Sequence, residues 1–250
     1  MKNPAPILRC EGVGKSFEGF TALSDVTVDF FADRLTSIIG PNGAGKSTFF
    51  NVLSGTYRPS VGTVHFEGKN ITNLEQSRFA HIGIAKSFQI TNLFPQLSVH
   101  ENVRVAVQAM HARWNLWRPR AHFKEVVEKA DALLALVGLA DRRNETTENL
   151  AHGEQRALEI AVALACAPRL LLLDEPTAGM SPEEARDMMK LIAKLHETRA
   201  VIVVEHRMKL VMGISNHIVV LHHGRLLAEG SPDEIRTHDE VRRVYLGSAI

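Results

Sequence analysis

Cysteine is nearly absent from this chain: 2 in 250 residues, Cys10 and Cys166, too far apart for a metal-type spacing or a dense disulfide framework. That excludes a cystine-stapled fold and leaves two thiols expected to pack unbridged. Net charge is nearly absent too. The 29 Lys and Arg stand against 28 Asp and Glu, +1 overall, so no global field draws the chain to nucleic acid or anionic lipid, and any phosphate site must be local. No stretch reaches the ~20 apolar residues of a membrane span. The opening MKNPAPILRC lacks the basic start and apolar run of an export signal, and a soluble chain is expected. Low-complexity tracts, repeats and Gly/Ser linkers are missing, which predicts a compact unit. The length leaves room for one large α/β unit carrying a smaller subdomain.

What is present begins with SIIGPNGAGKSTFF. Ser37 to Ile39 read as a buried strand end, and Gly40, Gly43, Gly45, Lys46 and Ser47 complete GxxxxGK[ST], a loop whose successive N–H groups wrap an anion. Lys46 is expected to reach the outer phosphates and Ser47 to ligate Mg²⁺, with a helix from Lys46 toward Leu53 aiming its positive end at a nucleotide. Asn42, Ala44 and Thr48 complete the candidate cradle.

Such a loop needs an acidic partner at the end of another buried strand. RLLLLDEPTAG runs four leucines, Leu170 to Leu173, into Asp174 and Glu175. Asp174 is placed to hold Mg²⁺ through water and Glu175 to orient or deprotonate the attacking water. A third run, VIVVEH, ends in His206, which stands beside the other two if the strands are parallel; an imidazole there can hydrogen-bond a transferring γ-phosphate. His222 and His223, in a turn before Gly224, read as ordinary surface or core residues.

The stretch LAHGEQRALEIAVAL, Leu150 to Leu164, opens a helix without a good cap, because Ala151 and His152 bring no side-chain acceptor for the first N–H groups. Unfilled donors and the helix dipole make an anion site, or a solvated helix end. By contrast Ser181, Pro182 and Glu184 form a complete capping box, as do Ser231, Pro232 and Glu234; Ser98 with Glu101 repeats the device.

GPNGAGKST, SFQ, LAHGEQ, LLLLDEP and VVEH, in that order, make the chain resemble the nucleotide-binding subunit of ABC transporters from end to end. The resemblance implies an α/β P-loop NTPase: an ABC-type ATPase core with a mostly parallel sheet, an N-terminal antiparallel β segment and an inserted helical subdomain. Residues 1–91 and 166–230 would form the core, 92–165 the helical subdomain and 231–250 a tail. It implies ATP hydrolysis with Mg²⁺, Gln89 as the Q-loop glutamine near the metal, and Phe17 stacked on adenine, with Phe20 a rival. LAHGEQ takes the place of the signature turn that closes over ATP held by a second ATPase subunit, identical or paralogous. Ala151, His152, Gly153 and Glu154 would then contact the partner's nucleotide, mainly through backbone donors around Gly153. Departures from the common pattern are Ala151 for serine, His152 for glycine and Ser181 for the aspartate after the catalytic strand.

FNVLSGTYRPSVG, FQITNLFPQLSVHENV, LAHGEQRALEIA, VVEHRMKLVMGISNHIVVLHHG and the ending VYLG are similar to the branched-chain amino acid importer ATPases. That subfamily implies permease subunits docking near Leu93 to Leu97, an extracytoplasmic binding protein acting indirectly, no nucleic acid, and a place on the cytoplasmic face of the membrane. Relatives serving urea or amides, aromatic acids or lipopolysaccharide extraction share these motifs and stay open, with a soluble ABC ATPase of a nucleic-acid machine further off. Trp114, Trp117 and Phe123 among Arg113, Arg118 and Arg120 read either as a cover for the subdomain's own core or as a contact with membrane subunits or headgroups.

Overall fold

The structure, a computed structural model, describes residues 5–87, 93–111 and 124–246. Gln89 and the Trp114, Trp117 and Phe123 segment lie outside the described residues.

The chain opens with alternating strands β1 (Leu8–Phe17) and β2 (Phe20–Phe30), a hairpin in which Phe17 faces Phe20 at the tip. Then come β3 (Leu35–Ile39), α1 (Lys46–Leu53), β4 (Val61–Phe66) and β5 (Lys69–Asn70). β1 pairs antiparallel with β2 and β4, giving the order β2-β1-β4-β5. Alternation of buried and exposed residues along β1 and β2 fits a sheet with one face on the core.

A second sheet follows from runs that are apolar on both faces. α2 (Phe79–Ile82) leads into β6 (Ile84–Lys86); helices α3 (Val99–His111), α4 (Lys124–Leu136) and α5 (His152–Leu164) intervene before β7 (Leu170–Asp174). α6 (Pro182–His196), β8 (Ala200–Val204), α7 (Met208–Ile214), β9 (His217–His222), β10 (Arg225–Gly230), α8 (Pro232–Thr237) and α9 (Asp239–Val241) complete the order. The strand order is β10-β9-β3-β8-β7-β6, parallel except for β10. Every residue of β3, β7 and β8 is buried, the signature of strands covered on both sides.

One apolar layer lies between the two sheets and encloses α1, whose Phe49 and Phe50 are fully buried; each such ring contributes roughly 1.5–3 kcal/mol by leaving water. A second layer joins the far face of the parallel sheet to α3, α4, α5 and α6, and a smaller third cluster packs Val211 of α7, Ile235 of α8 and Val241 of α9 on Ile218 and Val220 of β9. Cys10 is buried and Cys166 half-buried, both free thiols. Among the described residues no helix is long and apolar enough to cross a membrane.

Candidate nucleotide site

β3, β8 and β7 are adjacent and in register: Ile38 faces Val204, and Val204 faces Asp174. Three loops therefore leave the sheet side by side at its C-terminal edge, where parallel α/β sheets collect ligands. The first is the phosphate loop. It ends on Gly45, the N-cap of α1, at φ 96° with no side-chain cap. A Cβ there would sit 2.9 Å from the Ala22 carbonyl oxygen, so the left-handed turn and the close packing both require glycine. Ala44 is buried, whereas Asn42, Gly43 and Ser47 are exposed and Thr48 half-buried. Lys46 Nζ donates to the carbonyls of Gly40 at 2.7 Å and Pro41 at 3.0 Å. Burial holds the Lys46 ammonium below its usual range, against the pull of Glu175 and Asp174, so this cation has anionic neighbours and lacks full hydration.

Asp174 is buried and its carboxyl is pushed up to about 6, by burial first and then by the charge of Glu175; Lys86, Arg156 and Lys46 act the other way. A buried acid beside a second carboxylate, with the exposed Ser47 hydroxyl at the start of α1, is a hard oxygen donor set that fits Mg²⁺. Glu175 takes φ 44°, uncommon for a residue with a side chain, and its N–H donates to the Val204 carbonyl at 2.9 Å. Its Oε1 lies 3.7 Å from Nδ1 of His206. Asp174, Glu175 and His206 are thus brought together by the register of two strands.

Glu205 and Thr177 were not legible as site residues. The Glu205 carboxylate is fully buried and accepts from the Thr177 hydroxyl, from His206 N–H at 2.8 Å and from Arg207 N–H at 3.1 Å. An acid ending an apolar strand is the available signal, since a buried carboxylate needs donors. Lys86, the last residue of β6, was missed too. Its Nζ donates to Asn51 Oδ1 at 3.1 Å and Thr56 Oγ1 at 3.0 Å, and burial lowers its pKa while Asp174 raises it.

α5 begins at Ala151 with no side-chain acceptor for its leading N–H groups. Only the reverse half of a capping box forms, in which Glu154 Oε2 accepts from Ala151 N–H at 2.9 Å. Ala151 and His152 are exposed and Gly153 half-buried. The His152 ring turns back onto its own chain, with Nε2 3.1 Å from the Ala178 carbonyl oxygen. Ser181 behaves differently: its Oγ accepts from Glu184 N–H at 3.3 Å and Glu184 Oε2 accepts from Ser181 N–H at 2.9 Å. Ser181→Ala should lower unfolding stability by about 1 kcal/mol and leave turnover within about twofold, read by denaturant melts and phosphate release; a large loss of turnover would give Ser181 a chemical role.

Phe17 is 37% exposed and meets Tyr57 edge-on, with centroids 5.3 Å apart, while Lys15 Nζ stands 4.9 Å from the Phe17 centroid. Phe20 is 68% exposed.

This arrangement matches known proteins. The ABC transporter family model matches residues 23–178, and the branched-chain amino acid ATP-binding cassette transporter model matches residues 225–250. The chain is 38% identical to the high-affinity branched-chain amino acid transport ATP-binding protein LivG of Escherichia coli K12, over 98% of this chain and 99% of LivG. Among solved structures, an ATP-binding cassette of an ABC transporter in its ADP conformation superposes with TM-score 0.85 at 30% identity, covering 96% of this chain and 98% of that one. A dimeric cassette in a post-hydrolysis state with ADP and Pi gives TM-score 0.76 at 26% identity, covering 90% and 98%. With a phosphate loop, an acidic strand end and a histidine strand end on one sheet edge, the chain belongs to the ATP-binding subunits of ABC transporters.

Proposed function

We propose that two copies of this chain close over two ATP molecules to drive uptake of branched-chain amino acids through separate membrane subunits. The observation that carries the pairing is the α5 start. It lies against Ala178, beyond β7, while the phosphate loop lies between β3 and α1, packed on Ala22. One chain offers two anion-binding surfaces, and a second copy lets each ATP use one of each kind.

In this reading the backbone of Gly40 to Thr48 cradles the phosphates, Lys46 neutralises the outer ones, and Ser47 and Asp174 hold Mg²⁺, which screens phosphate charge when bound. Glu175 takes the proton of the attacking water and His206 donates toward the γ-phosphate. Gln89, which lies outside the described residues, would be a further ligand for the metal. The turn Ala151, His152, Gly153 and Glu154 presents backbone donors to the partner's nucleotide. Phe17 supplies the adenine face: Phe17→Ala should weaken ATP binding by about fivefold and Phe20→Ala by less than about twofold, by titration with a fluorescent ATP analogue. The reverse ranking would assign the stack to Phe20.

Membrane subunits dock at an apolar cavity of about 290 Å³ lined by Ala85, Ser87, Leu93, Ala106, Met110 and Glu159, with Phe94 and Leu97 exposed beside it. That seats the subunit peripherally on the cytoplasmic face, with an extracytoplasmic binding protein delivering cargo. The cargo assignment follows the relatives' names and is tested by leucine uptake in cells carrying the matching permease genes.

The pairing is tested by Gly153→Asp. A Cβ at Gly153 would lie 3.3 Å from Glu184 Oε1, so an aspartate sets a second carboxylate beside Glu184 and makes the turn that would receive the partner's phosphate more negative. ATP affinity at the phosphate loop should stay within about twofold while turnover falls at least about 100-fold. A variant with parental turnover would remove the turn from the site.

A further inference from the structure

The loop after Glu175 is held at three successive points. The buried Thr177 hydroxyl donates to Glu205; the Ala178 carbonyl oxygen is 3.1 Å from His152 Nε2; and the Met180 carbonyl accepts from Arg207 Nη2 at 3.1 Å. Glu205 in turn accepts from the N–H groups of His206 and Arg207. A single hydrogen-bonded path therefore runs from the α5 turn, through the 177–180 loop, to the backbone that carries His206. Gly179 is cut to fit it: at φ 75° it takes the left-handed turn, and a Cβ there would come 3.1 Å from His152 Nε2, crowding the ring out of its seat.

We propose that His152 and Thr177 are positioning residues: His152 ties the nucleotide-contacting turn to the 177–180 loop, and Thr177 carries that position through Glu205 to His206 in the same chain. The inference rests on the reading of the 151–154 turn as the contact to a second copy's ATP. Its chemistry follows from the groups present. The Ala178 carbonyl only accepts, so the His152 ring donates from Nε2, in its neutral Nε2–H form or as imidazolium. The ring is committed within its own chain, and the nucleotide is left to the backbone donors around Gly153. When ATP seats against the turn, the position of one nucleotide is passed to the histidine that serves the other, which couples the two sites through a packed, two-ended element.

The test separates dimer closure from turnover. With Glu175→Gln as the parent, ATP-dependent dimerisation is measured for the added changes His152→Ala, His152→Gln and Gly153→Asp; with Glu175 intact, the same changes are assayed for phosphate release across ATP concentrations. The expected result is that His152→Ala still dimerises with ATP, yet turns over at least about fivefold more slowly and with the Hill coefficient moved toward 1, and that His152→Gln, whose amide can donate, recovers most of both. Thr177→Val should reproduce the defect and Thr177→Ser should spare it. Parental turnover and cooperativity in His152→Ala, or glutamine failing as badly as alanine, overturns the proposal. Loss of dimerisation in His152→Ala makes the ring a nucleotide contact and overturns it as well. Normal dimerisation of Gly153→Asp is a different failure, because it removes the trans site itself.

Discussion

Glu175→Gln is expected to keep ATP on its own phosphate loop and to lose at least about 10²-fold in turnover, the usual contribution of a positioned general base. The structure explains why the loss should be chemical rather than structural. Glutamine has the same shape, the backbone at φ 44° stays anchored by its N–H to the Val204 carbonyl, and only the proton acceptor disappears. The carboxylate lies 3.7 Å from His206 Nδ1, so base and phosphate donor share one edge of the site. Single-turnover measurement with labelled ATP reads the step directly. A variant within about threefold of the parent would transfer the role to another group.

Asp174→Asn should move stability and activity in opposite directions. With the folded-state carboxyl pushed up to about 6 from its usual 3.8, the folded chain holds this proton more tightly than the unfolded chain. Stability from this group is therefore present at low pH and declines as pH rises from about 4 to about 6, remaining low above that. Free of Mg²⁺ and nucleotide, Asp174→Asn should melt higher than the parent at pH 8 by roughly 1–2 kcal/mol, a few degrees for a chain of this size. At pH 5 the gap should narrow, because the parent's carboxyl is then largely protonated. Turnover should nevertheless fall at least about 100-fold, since a neutral amide holds hydrated Mg²⁺ poorly. Melting curves at both pH values, with and without Mg²⁺, check the sign. A parent more stable than the variant at pH 8 without the metal would show that the ionised carboxylate is not under strain.

Much of this site was legible because its parts obey local rules. GPNGAGKST announces itself by spacing, and the apolar runs ending at Ile39, Leu173 and Val204 had to be buried parallel strands, which sets Lys46, Asp174 and His206 on one edge. The capping boxes at Ser181 and Ser231 are equally local and formed as their spacing predicts. The strand order was not legible, because β9 reaches β3 only after the whole helical region and β7 and β8 have been laid down. The inward turn of His152 depends on a carbonyl 26 residues away, and the Glu205 contact spans 28. Neither leaves a periodic trace. The turn is expected to bind the partner's nucleotide mainly through backbone donors around Gly153, and the His152 ring lies on the Ala178 carbonyl of its own chain. Lys86 escaped notice because a lone lysine closing a short strand looks solvated until Asn51 and Thr56 are placed around it.

Whether one copy's α5 turn completes the ATP site of another is read from the mass of Glu175→Gln in solution with and without ATP. The expected result is a monomer without nucleotide and a dimer of twice 27.7 kDa with Mg²⁺ and ATP, reverting when Gly153→Asp is added. A chain that binds ATP and stays monomeric, or a dimer that forms equally well without ATP, would contradict it.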